Sequence, residues 1–170
     1  MAGAWAGHAR AGNFYAYSPA AVGQTRAYQY ARMSTTLCLA ELTERKLPFE
    51  RVARAKGVET PIRITGKVRG ITYVQTFRED MDPKAAATVL DCRLGLAIDD
   101  MSQILARQGV VEVEFMSMWR PGHGRHGVRH PAGRAIDVAT AKLKNGTSYS
   151  VHHHFFGRVG AQTCGKGAGK

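Results

Sequence analysis

Between Glu114 and Asp137 the chain carries four arginines and three histidines and no acid. Asp137 therefore enters a strongly basic neighbourhood, which favours its ionised form. An ion pair with one of these arginines is one use for it. The spacing His130-Pro-Ala-Gly133-Arg-Ala135-Ile-Asp137 suggests another. Small residues between the two side chains let the backbone turn tightly, so an imidazole and a carboxylate can converge on one cation, a two-ligand start for zinc. Catalysis by zinc needs a third protein ligand and a fourth position open to water. If Asn145-Gly146 is a two-residue hairpin turn, Lys144 faces Thr147, which sets Asp137 opposite His154 and Ala139 opposite His152. His154 would then complete a His-Asp-His set, and His152 would orient or deprotonate a bound water. A shift of one residue would put His153 on that face instead, leaving His152–His154 as an exposed polar strand end.

These residues must be held by elements whose signals flank them. Asp82-Pro83 supplies a helix cap and a first-turn proline, and Leu90, Leu94, Ala97, Met101, Ile104, Leu105 and Gln108 recur at helical spacing before Gly109, predicting a long amphipathic helix packed on a sheet. Val110 to Met118 reads as a strand with Glu112 and Glu114 on one face and Val111, Val113 and Phe115 on the other. Its loop, rich in glycine and proline, leads to the His130 block, and the hairpin around Asn145-Gly146 follows. Upstream, Ser34 caps a short helix closed by Pro48. Two short strands lie around Gly66 and Gly70, with Pro61 at a strand start or sheet edge. Residues 1 to 32, rich in Ala, Gly and Tyr, show no sustained period and read as an N-terminal arm, mobile or draped over the domain.

The whole chain of 170 residues, 44% hydrophobic, is one domain's worth and has enough apolar residues for a real core, which excludes a wholly disordered protein. No run of about 18 apolar residues exists, so no transmembrane segment is expected, and the first ten residues lack the pattern of a signal peptide. Lys and Arg number 24 against 13 acids, a formal charge of +11, so an anionic partner is expected: nucleic acid, anionic membrane or cell-wall polymer. Nucleic acid is the weakest of these, because the arginines sit in a glycine-rich loop without a recognition helix or stacking aromatics. Cys38, Cys92 and Cys164 are an odd number with no C-x-x-C pair, which argues against a zinc knuckle. A disulfide is plausible for an exported protein and three buried thiols for a cytosolic one.

The His130-x-x-Gly133-x-Ala135-x-Asp137 block, following Ser117-Met-Trp-Arg120, resembles the active-site signature of the D-Ala-D-Ala metallopeptidase and lysostaphin-type superfamily. Within it the chain is most similar to the extensin-like C-terminal domain family of bacteria. The similarity runs over residues 33–165 and includes Cys38-Leu-Ala-Glu-Leu, Pro61-Ile-Arg-Ile-Thr-Gly, Leu90-Asp-Cys-Arg-Leu-Gly-Leu-Ala97 and Thr163-Cys-Gly165. Residues 166–170 then form a tail. The resemblance implies an α+β fold, a small antiparallel sheet with the long helix on one face. It also implies a zinc site using His130 and Asp137, and peptidoglycan stem peptides as substrates, cut by a D,D- or L,D-carboxy- or endopeptidase activity in the periplasm or outside the cell. Arg120 matches the arginine that binds a substrate carboxylate or the developing oxyanion, a role a guanidinium suits. Val128 stands where the family often has Ser. The superfamily's final His-x-His lies beyond the hairpin, so the expectation is a C-terminally shortened version, with His154 as a local substitute ligand and Cys164 as an orphan cysteine. The alternative is a non-catalytic module binding anionic wall polymer through Arg120, Arg125, Arg129 and Arg134.

Overall fold

The computed structural model describes residues 23–76, 85–122 and 129–154. Two short helices open it, α1 (Arg26–Ala31) and α2 (Thr35–Glu44). The side chains of Thr25 and Ser34 cap them, accepting from the backbone N–H of Tyr28 and Leu37. Thus the segment read as an irregular arm includes, after residue 22, a helix with a docked face. Tyr30 is buried and gives its hydroxyl to Asp100 at 2.7 Å, and Arg26 reaches the same carboxylate at 3.0 Å.

Three strands, β1 (Phe49–Arg51), β2 (Pro61–Ile64) and β4 (Leu90–Asp91), form an antiparallel sheet in the order β1-β2-β4. Pro61 starts its strand as expected, although that strand is central. A second sheet has the order β3-β5-β6-β7, from β3 (Thr72–Gln75), β5 (Val110–Phe115), β6 (Val138–Leu143) and β7 (Ser148–Ser150). β3 and β5 are parallel and the other pairs antiparallel. The α+β class therefore holds, with two sheets, one of them mixed, in place of a single antiparallel one.

The principal helix, α3 (Cys92–Arg107), has 16 residues. Asp82 and Pro83 lie outside the described residues. Between them and the helix, Ala86–Thr88 is a single 3-10 turn and Leu90 is a strand residue paired with Ile62. Asp91 is what starts the helix: it leaves the strand, and its carboxylate accepts from the backbone N–H of Arg93 at 3.1 Å. Rather than lying on one face of one sheet, α3 touches β2, β4 and β5 as well as α1 and α2. Cys38, Leu42, Ile62, Leu90, Cys92 and Leu96 are all fully buried in the core it shares with α2 and the first sheet. A Cys38–Cys92 disulfide joins α2 to the first residue of α3. Cys164 lies outside the described residues.

Strand β5 departs from simple alternation. Val110 pairs with Leu143 and Glu112 with Lys142, so Val111 is an extra residue, and it is 37% exposed instead of facing the core with Val113 and Phe115. A second irregularity sits on β6, where Thr140 pairs with Glu114 but Val138 with Phe115, leaving Ala139 as the extra residue two positions after Asp137.

The hairpin also differs from the two-residue turn that Asn145-Gly146 suggests. The N–H of Lys144 is taken by the Gly109 carbonyl at 2.9 Å, so the closing pair is Leu143 with Thr147, around a three-residue loop whose last member, Gly146, has φ 88°. This moves the register by one: Lys142 faces Ser148 and Thr140 faces Ser150. The strand then ends, and Val151–His154 is a single turn of helix, α4.

Candidate active site

Residues 116–120 leave β5 as an extended segment tied down at each step. The Met116 N–H donates to the Asp137 carbonyl at 2.8 Å, that of Met118 to Ala87 at 2.8 Å, and that of Arg120 to His130 at 3.4 Å. The Trp119 indole N–H reaches the Lys56 carbonyl at 3.3 Å. Asp137 in turn donates its N–H to the Ser117 carbonyl at 3.1 Å, just before the irregularity in β6. Bulges next to a site re-aim side chains in this way.

His130 begins a 3-10 turn, His130–Ala132, which Gly133 ends at φ 63°, ψ 25°. The Gly133 carbonyl accepts from the Asp91 N–H at 2.9 Å, and a side chain on Gly133 would stand 2.8 Å from that same nitrogen. The motif's glycine thus has two physical reasons: a left-handed backbone and a close approach to β4. Asp91 is itself fully buried and engaged by the Thr60 N–H at 3.0 Å and the Arg93 guanidinium at 3.0 Å. Arg93 also donates to the Met33 carbonyl and to Glu59. The turn carrying His130 is therefore anchored to a fully hydrogen-bonded buried ion pair, the arrangement in which such a pair is tolerated.

Three side chains from these segments meet at the Asp137 carboxylate. Asp137 Oδ1 lies 3.0 Å from His130 Nε2, and Oδ2 lies 3.0 Å from a terminal nitrogen of Arg120 and 3.4 Å from the Ser117 hydroxyl. Ser117, the first residue of the Ser117-Met-Trp-Arg120 element, thus has a contact of its own with the carboxylate, a role that the sequence pattern does not assign to it. Ser117 is buried, the His130 side chain 13% exposed, Asp137 30% and Arg120 61%, so the group is open on the arginine side. His130 Nδ1 is buried without a hydrogen-bond partner among the described residues.

The other expected site residues are elsewhere. His152 and His154 are exposed in α4, where His154 Nδ1 accepts from the Ser150 N–H at 3.0 Å. Neither occupies a strand position opposite Asp137 or Ala139, because the register is shifted by one and the strand stops at Ser150. The hairpin pairing on which His154 as third ligand and His152 as proton carrier rest is therefore not the one formed. Arg129 is exposed and lines a cavity separate from the Asp137 contacts, Arg134 pairs with Glu59 at 2.9 Å, and Arg125 lies outside the described residues.

Two donor atoms of this cluster suit zinc. His130 Nε2 and Asp137 Oδ1 are 3.0 Å apart, close to the edge of about 3.3 Å that follows from tetrahedral ligands at about 2.0–2.1 Å. Among the described residues no third His, Cys, Asp or Glu joins them. Compared with protein-family models, curated proteins and solved structures, the chain matches none.

Proposed function

We propose that this chain is a zinc-peptidase-like domain of the extensin-like type, acting on peptidoglycan stem peptides in the bacterial envelope. The observation that carries the reading is the convergence of Ser117, Arg120 and His130 on Asp137 from two separate segments. Zinc would be held by His130 Nε2 and Asp137 Oδ1, and a bound ion would supply Lewis acidity and an acidified water. The protein's own part is positional. Ser117 and Arg120 orient the carboxylate, and the exposed guanidinium keeps N–H groups free for a substrate carboxylate or a developing oxyanion. The Cys38–Cys92 disulfide suits an oxidising compartment such as the periplasm or the cell exterior. No described helix is long and apolar enough to cross a membrane.

The alternative of a non-catalytic module gripping anionic polymer is less well supported, because two of its four arginines are already committed, Arg120 to Asp137 and Arg134 to Glu59. Elemental analysis of the purified full chain is the decisive measurement. Bound zinc that is lost in both His130→Ala and Asp137→Ala is the expected result; a folded protein that takes up no zinc overturns the site. Release of free amines from purified peptidoglycan, abolished in Arg120→Ala, then supports turnover, and saturable wall binding without amine release supports the alternative.

A further inference from the structure

A cavity of about 440 Å³ lies between α1, α3 and the turn that carries His130. Its apolar side is formed by four alanines, Ala27, Ala31, Ala97 and Ala132, with Leu94 and Tyr30, and its polar side by Arg93, Arg129 and Arg134. None of the described residues lining it is acidic. The volume is that of a small-molecule pocket, about 300–1,000 Å³ in folded proteins. Neither Ser117, Arg120, His130 nor Asp137 lines it, so it is distinct from the proposed metal site.

The three guanidiniums differ in what they have left to give. Arg93 is consumed by Asp91, Glu59 and the Met33 carbonyl. Arg134 gives one terminal nitrogen to Glu59, and its buried Nε, without a hydrogen-bond partner among the described residues, is ion-paired with Asp91 at 3.6 Å. Among the described residues no acid pairs with Arg129. Among the described residues three cations here face two carboxylates, Glu59 and Asp91, which leaves the positive charge of Arg129 uncompensated. Arg129 is the arginine left available, and the committed Arg134 holds it in place: the Arg134 N–H donates to the Arg129 carbonyl at 3.0 Å, closing the turn between them. Their backbone spacing is thus set before any ligand arrives, which lowers the ordering cost of binding.

We infer that this cavity is a binding site for a compact carboxylate with a short aliphatic body. The planar fork of an arginine matches a carboxylate. The alanine side accepts a methyl- or ethyl-sized group and has little room for a polar one to find partners. The site stands whether or not His130 and Asp137 hold zinc.

The test is a titration of the isotopically labelled full chain with propionate, followed by the NMR resonances of the Arg134 Nε–H and the backbone amides of Ala31 and Ala97. Saturable shifts at all three are expected, with no such response to propionamide, which has the same size and no charge. Arg129 is exposed, so Arg129→Ala should fold and bind propionate about tenfold more weakly. Ala27→Phe, which fills the cavity from an exposed helix position, should abolish the shifts. The inference is overturned by an absence of saturable shifts, by equal responses to propionamide, by undiminished binding in Arg129→Ala, or by inorganic phosphate binding as well as propionate, since phosphate has no apolar body.

Discussion

Gly133→Ala adds one methyl group where the His130 turn meets β4, and its cost has two separable parts. The backbone at φ 63°, ψ 25° is left-handed, which costs an alanine about 1–2 kcal/mol. The added carbon would also stand 2.8 Å from the Asp91 nitrogen and 3.3 Å from the Leu90 carbonyl carbon. Those atoms belong to a strand and cannot rotate aside like a side chain, so overpacking adds about 1–3 kcal/mol. A total loss of about 2–5 kcal/mol follows from the two principles together. Gly146→Ala is the internal control: φ is 88°, but nothing lies within 4 Å of the new carbon, so only the backbone part applies. Urea unfolding of both variants, compared at equal m, measures the difference. Zinc uptake should fall in Gly133→Ala, which displaces His130, and persist in Gly146→Ala. Equal destabilisation of the two variants within about 0.5 kcal/mol would refute the close-approach argument.

Reduction of the Cys38–Cys92 disulfide, with a sequence separation of 54, should lower the unfolding free energy by about 4 kcal/mol through the freed unfolded chain. Urea titrations with and without reductant measure it, and a change below about 1 kcal/mol contradicts the entropic reasoning. Arg93→Met should cost about 3–5 kcal/mol, because it strands the buried Asp91 carboxylate; partial recovery in the double variant with Asp91→Asn is expected, and no recovery would count against this cause. Burial pushes the Asp100 carboxyl upward, but hydrogen bonds from Tyr30 and Arg45 and the charges of Arg26 and Arg45 outweigh it, holding Asp100 below the usual carboxylate range. Its stabilising contribution is then complete above the unfolded value of about 3.9 and is lost as pH falls through the lower folded value. Stability measured between neutral and acid pH should therefore depend less steeply on pH in Asp100→Asn, and an unchanged slope would contradict the assignment.

What could be read ahead of the fold was mostly local. Ser34 caps a helix because its hydroxyl meets an N–H three residues on, and the His130 to Asp137 spacing brings both groups together because Gly133 permits a tight turn. What escaped depended on partners distant in sequence. The hairpin register is set by Gly109, which takes the Lys144 N–H from the turn, and no feature of Asn145-Gly146 reports that. The same kind of competition hid the start of α3: Leu90 has helical spacing but is claimed by Ile62 across a sheet, so Asp91 becomes the cap. Alternation places Val111 inward, and a one-residue bulge reverses it. The Ser117 contact needed the pairing of residues 116 and 117 with Asp137, a feature of the second sheet as a whole.

Asp91 ends β4, caps α3 with its side chain and donates its backbone N–H to the Gly133 carbonyl. The loop that presents His130 therefore cannot open alone. Releasing it exposes a buried carboxylate and uncaps the 16-residue helix, so the two segments form one cooperative opening unit. Amide hydrogens at Asp91 and Arg93 should exchange with solvent at matched rates near those of global unfolding. A ligand seated on either side of the turn would then slow exchange in the first turn of α3 as well as in the loop it touches.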